Sequence, residues 1–518
     1  MSNGSRVAEL LLLGVLGGSG LSLREQLRTQ LVAAVEEGRL QPGDRLPPSR
    51  QLARDLGIAR GTVVDVYDQL VHDGYLVART GSGTTVAPRA PGTPPPPVEA
   101  HPGLTYDVRP GGPDLSAFPR TAWAMATAHV LRTVPDAELG YVRPWGTTVL
   151  REQLARYLAR TRHVQTDAEG VLVTSGVTQA LTLLCRVLYA RGHRMLAVED
   201  PSNAIQRQVL GRYGLRIVDV PVDGEGIDVA ALERTGTRAV LVTPAHQYPT
   251  GVQLGAQRRA ALLAWAASCD GLVIEDDYDA EFPRPRAFVP SLQGAAPSQV
   301  AHVSSVSKTL APGLRLGWVV PPPAWRQDLL GAKRDDDFGS GVIGQHVLAH
   351  LVVTGAYDRH LRRQRTVYGM RRDALVAGLG AELPDWRVRG APAGLHLWLE
   401  PPGPVREGAL VREAAARDVL VLGMSTMCRT VDTSGLVLGF ARLRTQDASL
   451  VARRLAAAVR AAADSTADDS AVDDAAAPYL PSPQLAARLG TTGVDFFPAG
   501  TGAQREPPLV PDPPDATA

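Results

Sequence analysis

Lysine is nearly absent from this chain of 518 residues. Lys308 and Lys333 are the only two among 54 basic residues, and the other 52 are arginine. Where arginine meets almost every cationic need, a retained lysine invites a chemical reason: an amine can form a Schiff base, and a guanidinium cannot under ordinary conditions. Cysteine is scarce too. Cys185, Cys269 and Cys428 lie far apart and form no CxxC pair, which argues against a zinc ribbon or a disulfide scaffold and fits a reducing cytoplasm. Net charge is also lacking, because 54 basic less 53 acidic residues leaves +1, so any nucleic-acid surface must be local. The apolar run near the start, Leu10 to Leu16, is too short to span a bilayer. With Glu9 before it and no basic cluster, it is a poor signal peptide. A cytoplasmic protein without a membrane segment is expected.

What is present supports a globular chain. Apolar residues make up 44%, enough for a sizeable core, and the length suits two to four domains. Residues 1–20 read as an N-terminal extension. Residues 21–86 read as helices followed by a hairpin. Ser22-Leu-Arg-Glu25 is a capping box, Leu23, Leu27, Leu31 and Val35 fall at helical spacing, and Gly38 closes that helix. Ser49 is expected to cap a second helix stopped by Gly57, and a third runs from Arg60 to Asp73 with Val63, Val66 and Leu70 on one face. Residues 87–116 read as a proline-rich linker, with six prolines between Pro88 and Pro97. Residues 117–463 alternate apolar runs, such as 171–174, 195–198, 239–243, 271–274 and 300–303, with amphipathic helices such as 178–190 and 256–267. That pattern predicts an α/β domain with a largely parallel sheet. Residues 464–518 read as a disordered tail.

Two short helices joined by a glycine turn, then a glycine-tipped hairpin, predict a winged helix-turn-helix. Its second helix would place Arg60, Gly61 and Thr62 at base edges in the major groove. Arg50 would reach phosphate, and the wing offers Arg79, Gly81 and Gly83. Charge alone says little, since residues 20–90 hold nine arginines against eight acidic residues. The segments Gly38-Arg-Leu-Gln-Pro-Gly-Asp-Arg-Leu-Pro-Pro-Ser-Arg50, Arg60-Gly-Thr-Val63 and Asp73-Gly-Tyr-Leu76 closely resemble the GntR-family DNA-binding domain. One departure is Ala59, where that family usually has a capping Ser, a loss of about 1 kcal/mol.

In the large domain Lys308 follows a strand within Ser305-Val-Ser307-Lys308, a place suited to a covalent link with pyridoxal 5′-phosphate (PLP). Arg315 can supply a planar fork for the phosphate. Gly176, Val177 and Thr178 join a strand to a helix, whose N–H groups suit an anion. Asp276 can face the pyridine nitrogen, and Tyr278 the ring's 3-hydroxyl. These pieces, with Thr243-Pro…His246-Gln-Tyr248-Pro-Thr-Gly251 and Glu199-Asp-Pro201, resemble fold-type-I aminotransferases. Joined to a GntR-like unit, the whole looks like the MocR subfamily of transcription regulators. That resemblance implies a PLP-binding regulator of operator DNA with Lys308 as Schiff-base lysine, acting as a domain-swapped homodimer that senses a small amine, an amino acid or PLP itself. A working aminotransferase with a DNA-binding appendage is the alternative, and a pseudoenzyme that keeps the old fold only to dimerise is a third.

Against that resemblance the cofactor pocket looks kept and the substrate pocket altered, with four departures. Asn203 stands where a ring-contacting aromatic is usual, Val177 replaces a small hydroxyl residue, and Tyr248 fills a slot that is usually Asn. Leu436 lies where many aminotransferases place the arginine that binds the substrate carboxylate. Arg207 and Arg429 are candidate replacements for that carboxylate-binding arginine, although each such residue is more often simply a surface arginine. No metal ligand set is expected.

Overall fold

The computed structural model describes residues 22–36, 39–79, 83–87, 106–141, 143–282, 289–391 and 393–464. The chain forms two compact units, divided after residue 100. The expected N-terminal extension, Gly38, Gly81 and the expected disordered tail beyond Asp464 lie outside the described residues.

The first unit contains α1 (Leu23–Glu36), α2 (Ser49–Leu56), α3 (Arg60–His72), β1 (Leu76–Arg79) and β2 (Gly83–Val86). The capping box forms as read: Ser22 N–H donates to Glu25 and Glu25 N–H to the Ser22 hydroxyl. Leu27, Leu31, Leu52, Val63, Val66 and Leu70 bury one core. Leu23 instead lies 46% exposed, because the buried stripe continues through Ala34. Ser49 is the first helical residue rather than the cap; Pro48 holds the cap position without a side-chain bond. Ala59 likewise caps α3 with no side-chain hydrogen bond. The wing strands pair antiparallel, Leu76 opposite Val86 and Arg79 opposite Gly83. Arg45 adds a bridge to Thr85.

The second unit starts earlier than the expected linker end. β3 (Tyr106–Asp107) pairs in parallel with β14 (Val419–Leu420), so residues 106–116 belong to the large domain. The proline density before it conceals the short pairing segment 106–108, whose Tyr106 and Val108 N–H groups bond to the Asp418 and Leu420 carbonyls. The central sheet holds β4 (Leu172–Thr174), β5 (Met195–Asp200), β6 (Arg216–Asp223), β7 (Gly226–Ile227), β8 (Ala239–Val242), β9 (Leu272–Asp276), β10 (Val300–Ser305) and β11 (Gly317–Val320). Its order is β4-β11-β10-β9-β8-β5-β6-β7. β10, β9, β8, β5 and β6 run parallel, while β11 and β7 run antiparallel, so the sheet is mixed with a parallel centre. The parallel strands read as continuous apolar runs because both faces are covered. Among the covering helices are α4 (Val177–Ala190), α5 (Ala204–Gly211), α6 (Ala256–Ser268) and α7 (Arg326–Asp337). A smaller antiparallel sheet has the order β12 (Arg387–Arg389), β13 (His396–Glu400), β16 (Leu436–Gly439), β15 (Leu422–Gly423).

Candidate functional site

The parallel strands deliver their last residues to one edge, where an open α/β sheet places its ligands. Asp276 ends β9 and Ser305 ends β10, with Tyr278 and Lys308 just beyond. A cavity of about 640 Å³ opens there. Val177, Thr178, Tyr248, Asp276, Tyr278, Ser305, Ser307, Lys308 and Arg315 line it together. Gly176 sits beside the Arg315 guanidinium, 3.1 Å from where a Cβ on Gly176 would lie. With φ +115, Gly176 holds a backbone turn that a side chain would strain, and that side chain would meet Arg315. Arg315 itself holds φ +52, an uncommon conformation for a non-glycine residue and one found at ligand sites. The fork of Arg315 and the N-terminus of α4 thus meet at one corner, suited by its donors to an anion.

Asp276 is 6% exposed. Its Oδ2 accepts from Gln206 Nε2 at 3.1 Å, while its buried Oδ1 has no partner. Burial pushes its carboxyl up to about 6, and the Gln206 hydrogen bond only partly offsets that. Tyr278 donates to the His246 carbonyl at 2.9 Å. Burial, and next the Asp279 carboxylate, hold its phenol well above the ordinary value, so it remains a proton donor. Behind it His246 Nδ1 lies 3.0 Å from Asp279 Oδ2. The Lys308 amine donates to the Gly111 carbonyl. Gly111, Arg109 and Asp107 also line the cavity, from the stretch expected to be linker.

Known proteins share both units. Residues 23–86 match the family model for bacterial regulatory proteins of the gntR family, and residues 115–435 match aminotransferase class I and II. The pyridoxine biosynthesis transcriptional regulator PdxR of Corynebacterium glutamicum is 34% identical over 428 residues, covering 81% of this chain and 92% of that one. The chain belongs to the GntR family, among the MocR- and PdxR-type transcriptional regulators. The probable rhizopine catabolism regulatory protein MocR of Rhizobium meliloti is 30% identical to this regulator, covering 81% of it and 90% of that protein. Among solved structures, LysN, the α-aminoadipate aminotransferase of Thermus thermophilus, complexed with N-(5′-phosphopyridoxyl)-L-leucine, superimposes with a TM-score of 0.63 at 27% identity. That match covers 70% of the regulator and 93% of LysN. The regulator's large unit is therefore a fold-type-I aminotransferase-like domain, and its family and structural neighbours imply PLP.

The regulator's own residues fit that group. The partnerless Asp276 Oδ1 suits a protonated ring nitrogen, the Tyr278 hydroxyl suits the ring's oxygen, and the Arg315–Gly176 corner suits a phosphate. The two expected effector arginines do not serve the cavity in the same way. Arg207 is buried and committed, with Asp200 at 3.1 Å, Asp219 at 3.2 Å and the Glu199 and Met427 carbonyls. Arg429 is exposed and does not line the cavity; its main-chain N–H binds Asp200. Leu436 points into the main core, and its neighbour Val437 faces the cluster of Met424, Met427 and Tyr248. Arg109 and Arg442, which sequence reasoning missed, line the cavity but both pair with Asp107. The Pro110-Gly-Gly-Pro113 run was the available signal.

In the first unit, Arg50, Arg60 and Gly61 are exposed and Thr62 is half-buried at the start of α3. Arg79 ends β1 and Gly83 begins β2. Arg45, also missed, is exposed with its guanidinium against Gly83. No helix among the described residues is long and apolar enough to cross a membrane.

Proposed function

We propose that this regulator binds PLP through Lys308 and that PLP itself is the small molecule that changes its affinity for operator DNA. One observation carries the choice of ligand. Of the arginines lining the cavity, Arg109, Arg207 and Arg442 are each paired with a carboxylate, and Arg315 has no carboxylate partner among the described residues. One uncommitted guanidinium at a helix N-terminus suits one phosphate and leaves, among the described residues, no second fork for an amino-acid carboxylate. The pyridoxine-linked name of the Corynebacterium relative agrees with this reading.

When bound, PLP supplies an aldehyde that condenses with an amine and a ring that withdraws electrons. The chain does the rest. Lys308 provides the amine. Asp276 holds a proton on the ring nitrogen through Oδ1, and that contact offsets the cost of its buried charge. Tyr278 would turn its single hydroxyl proton from the His246 carbonyl to the ring oxygen. Val177, Thr178 and Arg315 grip the phosphate. Condensation at Lys308 would take the amine away from the Gly111 carbonyl, and this differential interaction would shift the protein towards one DNA-binding state. The regulator works as a homodimer in the cytoplasm, each DNA-binding unit contacting one half-site. Arg60 reads a base and Arg50 a phosphate.

The test is operator affinity measured against PLP and against a panel of amino acids and amines. PLP alone should shift it. A shift that requires an added amino acid would replace this reading with amino-acid sensing, and steady product formation from a keto-acid acceptor would replace it with an enzyme.

A further inference from the structure

Lys333, the second of the chain's two lysines, has no place in the cavity. It sits on α7 and is 0% exposed. Its ammonium has three protons and finds three acceptor groups. Asp337 accepts through both oxygens at 2.7 and 2.6 Å, Gln179 Oε1 lies at 3.1 Å, and Ser340 Oγ lies at 3.1 Å. Such a niche suits the compact head of lysine and would crowd a guanidinium, which accounts for a lysine in a chain that otherwise uses arginine.

Gln179 connects this niche to the cofactor corner. Its Oε1 accepts from Ser175 N–H at 2.8 Å, at the start of the turn that runs into Gly176, Val177 and Thr178. Its Nε2 donates to Asp336 at 2.7 Å and to Asp337 at 2.8 Å. An amide side chain can present either end, and its orientation is set by its partners. Here a cation faces the oxygen and two carboxylates face the nitrogen, so the amide is held with its oxygen towards Ser175. With Ser175 N–H tied back, the N–H groups of the next residues are left to an anion.

We propose that Lys333, with Asp337, is a positioning residue for the phosphate: it fixes the Gln179 amide, and Gln179 fixes the Ser175–Thr178 turn. The proposal rests on PLP as the cavity's ligand. Without the ammonium, the amide oxygen keeps only the Ser175 N–H and Asp337 loses its balancing cation, so the amide and the turn it holds are fixed less firmly. The effect is confined to ligands that carry a phosphate.

The experiment compares PLP with pyridoxal, which has the aldehyde and ring but no phosphate, on the full-length protein. Affinity is read from the absorbance change on binding. Lys333→Met should weaken PLP about tenfold, roughly the worth of one charge-assisted hydrogen bond, and leave pyridoxal unchanged. Asp337→Asn should shift the same ratio in the same direction, and decides the matter if Lys333→Met does not fold. Equal losses for both ligands, or no loss for either, would overturn the positioning role. A wild-type protein that binds neither ligand would instead overturn PLP as the cavity's ligand.

Discussion

The side-chain nitrogen of Lys308 donates to the main-chain oxygen of Gly111, 197 residues earlier. The amine proposed to link PLP is thus held by a strap that pairs through Tyr106–Asp107 with Val419–Leu420. Borohydride reduction of the PLP-loaded protein should fix the cofactor on Lys308, and Lys308→Ala should abolish the adduct. Lys333, wholly buried and ion-paired, should carry none; peptide mapping that finds the label there would contradict the assignment. Gly111 holds φ +99, so Gly111→Ala strains the strap by about 1–3 kcal/mol and should loosen cofactor retention without moving the labelled residue.

Asp276 gives a pH-dependent prediction. Burial raises its carboxyl to about 6 in the ligand-free protein, above the ordinary 3.8. An acid with a raised folded value binds its proton more tightly in the native state. Its effect on stability is therefore neutral well below pH 3.8 and becomes a full penalty above about pH 6. That penalty is on the order of 3 kcal/mol. Asp276→Asn should remove it, making the ligand-free protein more stable than wild type at pH 7.5 while weakening PLP binding. Denaturant melts of both proteins at pH 5 and pH 7.5, without PLP, measure this. A variant less stable at the higher pH would contradict it.

The first unit predicts a division between reading and holding DNA. Arg60→Ala should cost about 1–3 kcal/mol at one base position and relax specificity there. Arg50→Ala and Arg45→Ala should weaken binding to all sequences and flatten the salt dependence. Equal losses for Arg60→Ala on operator and on random DNA would remove its role as base reader.

Much of this was legible in the chain. The buried parallel strands announced themselves as short apolar runs, and the site residues cluster at their ends, where a reader who knows the strand positions looks first. The capping box at Ser22 and Glu25 is a local pattern and formed as read. What escaped were long-range relationships. The strap at 106–116 looks like linker because its stability comes from pairing with residues more than 300 positions away. Arg207 looked free because nothing nearby in sequence reveals that Asp219 and Asp200 would surround it. Leu436 packs in the main core and its neighbour Val437 packs with Met424 and Met427, an alternation along β16 that only the folded sheet reveals.

Arg207 therefore supplies a structural prediction. Removing one partner of a buried ion pair leaves a charge uncompensated, so Arg207→Met should destabilise the large domain by about 3–5 kcal/mol. Ligand preference among the molecules that still bind should not change. A well-folded variant with altered effector specificity would restore Arg207 as a ligand-binding residue.

If PLP is the effector, DNA affinity responds to it through Lys308. The direct measurement is the Kd for an operator fragment, selected by the protein from random DNA, with and without PLP, in wild type and in Lys308→Ala. PLP should change the wild-type Kd, with the change lost in Lys308→Ala while its PLP-free Kd stays at the wild-type value. An undiminished response in Lys308→Ala would contradict a switch that runs through this lysine.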